Sequence, residues 1–212
     1  SLMSADVAME RPIETILSGP AASVVGARHL AGGRDVVVVD MGGTTTDIAV
    51  LREGRPRVNP RGAQVGRWRT MVEAVDVHTV GLGGDSRVWL DEGRAVRVGP
   101  RRAVPVSWLA AQHPDVVGDL ERRVGAPTRE TWTAPPELLV LQRPYEPVGA
   151  GQPPFAVELR RALEDGPLPM GRVYEMMEHP GLYRRYLGRL EAEGLVVRSA
   201  FTPTDAAHVL GR

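Results

Sequence analysis

Between Val36 and Leu51 the chain reads VVVVDMGGTTTDIAVL, and no other stretch so narrows the folds open to it. Consecutive β-branched residues favour an extended backbone, and an uninterrupted apolar run is the mark of a strand buried on both faces. Asp40 ends that strand, Gly42-Gly43 turn the chain, and Asp47-Ile48-Ala49-Val50-Leu51 go back out. Glu53-Gly54 make a second turn into Arg57-Val58. Short strands separated by such turns predict antiparallel β-hairpins.

The first of these turns is also the sharpest chemical signal. A phosphate needs backbone N–H groups aimed at it without an intervening Cβ, and adjacent glycines at a turn supply them. The hydroxyls of Thr44 and Thr45 add donors, and Asp40 at a strand end can hold a magnesium ion, usually through water. Asp40 to Asp47 therefore predicts a nucleotide-phosphate site, with a merely structural glycine hairpin as the alternative.

Elsewhere the elements are read from caps and periodicity. Ser18-Gly19-Pro20 opens a helix to Leu30, stopped by Ala31-Gly32-Gly33. Val72 to Val80 alternates as a strand and leads into a second glycine loop, Gly81 to Ser86. Val88-Trp89-Leu90 and Ala95 to Val98 flank Asp91-Glu92-Gly93 as a further hairpin. Residues 125–154 are crowded with proline around one apolar strand, Leu138 to Leu141, and predict a connection between residues 1–124 and 155–212. The last part reads as mostly helical: Pro154 to Leu163, Arg172 to Glu178 and Leu182 to Glu193. A short strand follows at Leu195 to Val197, then Thr202-Pro203-Thr204-Asp205 caps a final helix through Leu210.

Composition excludes more than it identifies. The 26 basic residues balance 26 acidic ones in 212, so no global field draws the chain to nucleic acid or an anionic membrane. With no cysteine there is neither disulfide nor thiolate metal site, and a reducing compartment, the cytoplasm, is the natural home. No apolar run approaches a membrane span. Every basic residue is arginine and proline numbers 18, which fits either thermal robustness or a GC-rich genome. Ser1-Leu2-Met3 reads as a scar ahead of a native start.

Three further patterns carry candidate chemistry. The glycine loop containing Gly83 and Gly84 predicts either a second contact to a bound nucleotide or an ordinary turn. Asp76 and His78 share one face of a strand, and Asp205 and His208 one side of a helix, so together they predict a zinc or manganese site. The alternative gives Asp205 to helix capping and the histidines to structure. Finally, Arg172 to Glu178, Pro180-Gly181, Tyr183 to Leu190 and a following strand imitate a winged-helix nucleic-acid binder. Glutamates interleave those arginines, which is the pattern of a solvated face, so no nucleic-acid partner is expected.

Four blocks together resemble the hydantoinase/oxoprolinase A-subunit family: Glu10-Arg11-Pro12-Ile13-Glu14-Thr15-Ile16-Leu17-Ser18-Gly19-Pro20-Ala21-Ala22, Asp40 to Asp47, Asp76 to Ser86, and Phe201 to Gly211. The resemblance implies an α/β chain with part of the actin-like ATPase (ribonuclease H-like) fold, β-hairpins and packed helices. In that superfamily two glycine-turn hairpins grip the phosphates of ATP, and Asp40 to Asp47 matches the second. The first is expected upstream, so the chain reads as an internal piece.

The roles implied are Asp40 as the magnesium-side carboxylate, Gly42, Gly43, Thr44 and Thr45 as the phosphate cradle, and Asp47 as a turn-anchoring or water-ordering carboxylate. Asp85 stands where the family pattern has a small residue, so it is expected to bring a carboxylate near bound phosphate. The activity implied is ATP-dependent opening of cyclic amides such as hydantoins or 5-oxoproline, often with a B-type subunit, or the related ketone carboxylation. A non-enzymatic actin-like regulator fits the same nucleotide hairpin.

Overall fold

The computed structural model describes residues 4–10, 12–15, 18–62, 64–65, 68–69, 74–91, 93–125, 136–146, 154–177 and 180–211. It is a mixed α/β structure in two compact units, Ser1–Gly83 and Gly84–Arg212.

In the first unit a short helix, Ala5–Glu10, and a 3-10 turn, Pro12–Thr15, precede the helix Ser18–Ala31. Gly32 and Gly33 follow with φ of 61° and 83°, the left-handed backbone that ends a helix at little cost only in glycine. The strand Val36–Met41 then pairs antiparallel with Thr46–Arg52, in register from Val36 opposite Leu51 to Met41 opposite Thr46. Thr46–Arg52 is the hub of this sheet. Its other edge pairs with Val77–Val80 near the turn and with Arg55–Pro56 at the far end. Small ladders, Val58–Asn59 with Ala74–Val75 and Gln64–Val65 with Trp68–Arg69, complete the unit.

Its core lies between the Ser18–Ala31 helix and one sheet face: Val24, Ala49 and Leu51 are buried, with Val36, Val38, Val75 and Val77 packed around them. The valine run is thus not covered on both faces, as its apolar continuity predicts. Val37 and Val39 are 65% and 60% exposed. Side chains alternate along a strand, and the helix packs only on the face shared by Val36 and Val38.

The second unit begins with the predicted hairpin, Ser86–Leu90 against Val96–Arg102. Two helices that the sequence reading did not anticipate follow, Val106–Gln112 and Asp115–Gly125. A four-stranded sheet has the order Val104–Pro105, Val196–Ala200, Leu138–Leu141, Leu168–Pro169, with only the first pair parallel. Against it pack the helices Phe155–Glu164, Met170–Glu175 and Pro180–Ala192. They bury Ala156, Leu159, Leu163, Met170, Val173, Leu187 and Leu190 around Leu139 and Val196. The rings of Phe155 and Tyr186 meet edge to face at 5.4 Å in the same layer.

Two corrections follow. The chain divides at Gly83/Gly84, not in residues 125–154. The described part of that stretch supplies Leu138–Leu141, which pairs on both edges and so belongs to the middle of a sheet. The last third is helical as predicted, but a short strand interrupts it, in the order helix, short strand, helix, helix, strand, with the helix Pro203–Val209 at the end. That is the layout of a winged helix whose remaining strand, Leu138–Leu141, comes from ahead of the first helix.

The sheet is fastened by a buried charge network. Glu137, 2% exposed, is ion-paired with Arg87 and lies 3.0 Å from Arg198, which reaches Glu191 at 2.5 Å. A buried carboxylate persists only when so matched.

Candidate functional site

The turn between Val36–Met41 and Thr46–Arg52 gathers most of the predicted site. Asp40 stands directly opposite Asp47, one register position from the last pair before the turn. Cross-strand partners share a face and have close Cβ atoms, so facing carboxylates repel unless donors or a cation intervene. Donors are present on both. The Ser23 hydroxyl, from the helix above, donates to Asp40 Oδ2 at 2.5 Å, and the Thr79 hydroxyl, from the next strand, donates to Asp47 Oδ1 at 2.5 Å. Each carboxylate is thereby oriented through one oxygen. This all-oxygen donor set suits a hard cation such as magnesium rather than a soft one.

The turn itself is closed by the N–H of Gly42 donating to the Thr45 carbonyl at 2.9 Å. Gly42, Gly43 and Thr44 are exposed, as a surface that meets a ligand must be. Thr46 is buried, and its hydroxyl donates to the Leu82 carbonyl at 2.5 Å, tying the second glycine loop to the turn. Gly83 abuts the turn directly: a Cβ added there would lie 2.5 Å from the Gly43 carbonyl. The two glycine loops that look independent in sequence are thus in van der Waals contact.

The other predicted residues have partners of their own. Gly84 belongs to the second unit, where its carbonyl accepts from the Thr204 N–H at 2.9 Å and the Thr204 hydroxyl at 2.8 Å. The Asp85 carboxylate, expected to face phosphate, is instead ion-paired with Arg102 at 2.9 Å. Asp76 is ion-paired with Arg57 at 3.4 Å, and His78 sits exposed opposite Ile48.

Asp205, 4% exposed, forms a capping box with Thr202 at the start of the helix Pro203–Val209. Its carboxylate also accepts from the N–H groups of Val106 and Ser107 and from the Ser107 hydroxyl. Burial pushes its pKa up, but the donations from Ser107 and Thr202 outweigh it and hold the group below the usual carboxylate range. Among the described residues no group of three or more His, Cys, Asp and Glu side chains is arranged to hold a metal ion. The capping role of Asp205, the alternative to a zinc or manganese ligand, is the one its hydrogen bonds show.

Sequence reading missed Ser23, Thr79 and Ser107. Only the observation that hydroxyl residues stand one strand or one helix away from each lone carboxylate would have raised them, and that needs the register.

A profile of the hydantoinase/oxoprolinase family matches residues 1–112. The α subunit of caprolactamase from Pseudomonas jessenii is 37% identical over 100 residues, covering 46% of this chain and 14% of that protein. The γ subunit of acetophenone carboxylase from Aromatoleum aromaticum is 33% identical over 104 residues, covering 47% of this chain and 14% of the relative. A nucleotide-free structure of acetone carboxylase, an enzyme of ATP-dependent acetone carboxylation, superposes with a TM-score of 0.37 at 32% identity. It covers 42% of this chain and 13% of that one. The chain thus spans about a seventh of the length of the curated relatives it matches.

Proposed function

Because the chain belongs to the hydantoinase/oxoprolinase family, we propose that its Asp40–Asp47 hairpin grips the phosphates of magnesium-ATP in an enzyme that activates a carbonyl oxygen. The substrate class we favour is a cyclic amide, as the name of the caprolactamase relative suggests. Carboxylation of a ketone, as in the acetophenone carboxylase relative, is the related chemistry. Those relatives are named as subunits, which supports a partner of B type for this chain as well.

The observation that carries the reading is the in-register pair Asp40 and Asp47 at the mouth of a glycine turn, each held by a hydroxyl from a neighbouring element. Bound ATP supplies the phosphoryl group that turns a poorly electrophilic amide carbonyl into one with a leaving group. The residues of this chain do the positioning on which phosphoryl transfer chiefly depends. The exposed amides and threonine hydroxyls of the turn donate to phosphate oxygens. Asp40 and Asp47 balance the charge of the magnesium ion, and Ser23 and Thr79 keep their oxygens aimed. The second-unit residues His208 and Asp205 take no part in this reading.

Asp40→Asn should weaken magnesium-ATP binding about tenfold or more, since it removes one of two facing charges from a hard-cation site. Isothermal titration on the full-length native and variant proteins, with circular dichroism to show equal folding, measures this. Equal affinity in the two would overturn the assignment.

A further inference from the structure

We propose that Thr46 is a positioning residue: its buried hydroxyl holds the loop at 81–83 against the Gly42-Gly43 turn, and the turn keeps its ligand-binding shape through that bond. This rests on reading the turn as the phosphate site. Both glycine segments leave the same rung of the sheet. Thr46 is paired with Met41 on one side and with Val80 on the other, so the turn and the loop start at its two flanks. Partners across a ladder share a face of the sheet, and on this face Val39 and Met41 are 60% and 56% exposed. Thr46 is 4% exposed. What covers it is the loop, whose Leu82 carbonyl accepts from the Thr46 hydroxyl at 2.5 Å. In the run Thr44-Thr45-Thr46 the third hydroxyl is therefore spent on the protein itself.

The loop so held is pressed onto the turn. A Cβ built on Gly83 would lie 2.5 Å from the carbonyl carbon and oxygen of Gly43, and 2.7 Å from the carbonyl oxygen of Gly42, so the two backbones touch with no side chain between them. Leu82 is engaged through both its backbone polar atoms, since its N–H donates to the Val80 carbonyl at 2.8 Å. Close-packed backbone cannot absorb a shift by changing rotamers, so displacement of the loop is passed to the turn. Thr46→Val keeps the β-branched shape that suits a strand but leaves the Leu82 carbonyl without this donor. The coupling is reciprocal: a ligand that steadies the turn must also steady the loop. Thr46 acts through the loop without touching phosphate itself.

The test compares full-length native protein with Thr46→Val, Thr46→Ser and Leu51→Val, the last altering a buried side chain at the far end of the same strand. In calorimetric titration with magnesium-ATP, Thr46→Val should bind about fivefold or more weakly, with Thr46→Ser and Leu51→Val within about twofold of native. Without nucleotide, hydrogen exchange read by mass spectrometry should be faster at residues 81–83 in Thr46→Val and unchanged there in the other two. Affinity of Thr46→Val within about twofold of native, or a loss in Thr46→Ser as large as in Thr46→Val, would overturn the proposal. A third readout needs no variant to fold: in the nucleotide-bound native protein the Leu82 amide should exchange more slowly, and an unchanged rate would also overturn it. If the native protein does not bind magnesium-ATP and Asp40→Asn changes nothing, the phosphate reading has failed. The nucleotide-free exchange rates then still decide whether Thr46 holds the loop.

Discussion

Asp205 shows how one carboxylate can be mistaken for a ligand. Placed after Thr-Pro-Thr and three residues before a histidine, it is compatible in sequence with either a metal or a cap, and only its partners decide. Besides Thr202, those partners lie about a hundred positions earlier, at Val106 and Ser107. No local pattern encodes those two distant donors. The carboxylate is buried among donors, so Asp205→Asn, which sets an amide nitrogen against N–H groups, should cost about 3 kcal/mol at neutral pH. Its folded pKa lies below the unfolded value, so this contribution is fully present above the unfolded pKa and is lost as pH falls through the folded one. Urea titrations should show the gap between native and variant constant from neutrality down to about pH 5, then narrowing below about pH 4. A gap that instead widened on acidification would contradict the assignment. Asp40 and Asp47 were legible because the motif is contiguous. Ser23 and Thr79 were not, because what links them to those carboxylates is sheet register and helix placement.

At the scale of elements, turn chemistry was the most readable signal. Gly42-Gly43 and Glu53-Gly54 each fall where a strand reverses, as do Asp91 and Gly93, and the Thr202–Asp205 capping box is formed. The error in the valine run has the same root as the success. Strand propensity fixes that a segment is extended but not how many of its faces are covered. The helix Val106–Gln112 escaped because it is short, whereas Asp115–Gly125 carries Val116, Leu120 and Val124 at helical spacing after Pro114, a signal that was readable and was passed over. Gly54 shows what the turns demand. Its φ is 69°, and a Cβ there would stand 2.8 Å from the Gly33 Cα, so two loops touch backbone to backbone. Gly54→Ala combines left-handed strain with that clash and should destabilise the first unit by about 2 kcal/mol. Differential scanning calorimetry would read a lowered midpoint, and an unchanged one would show that the loops can part freely.

For the whole chain, charge decides between an enzyme part and a nucleic-acid binder. The winged-helix order of the second unit would by itself invite the latter. Yet Arg172 is ion-paired with Glu175, Arg189 with Glu193, and Arg198 with Glu191 and Glu137. Those cations are already neutralised, and the full sequence carries no net charge. Duplex DNA should therefore show no sub-micromolar shift in gel mobility at physiological salt, where contacts to phosphate lose affinity steeply. A tight, salt-resistant complex would reverse this view. Among the described residues no helix is long and apolar enough to cross a membrane. The division at Gly83/Gly84 was hidden from composition because no cluster of prolines marks it.

The parallel pairing of Val104–Pro105 with Ser199–Ala200 has a consequence for how such a chain can change over generations. Everything between those segments departs from and returns to one spot, where the Ser199 hydroxyl also donates to the Val104 carbonyl at 2.9 Å. Beyond that spot the Phe201 carbonyl accepts from Val88 N–H, and Thr204 binds Gly84, so the flanking pieces are already joined to each other. The intervening stretch behaves as a parenthesis in the sentence of the fold. It can be rewritten while the gap its neighbours must span stays the same, as long as it keeps Ser107 for Asp205 and Glu137 for Arg87.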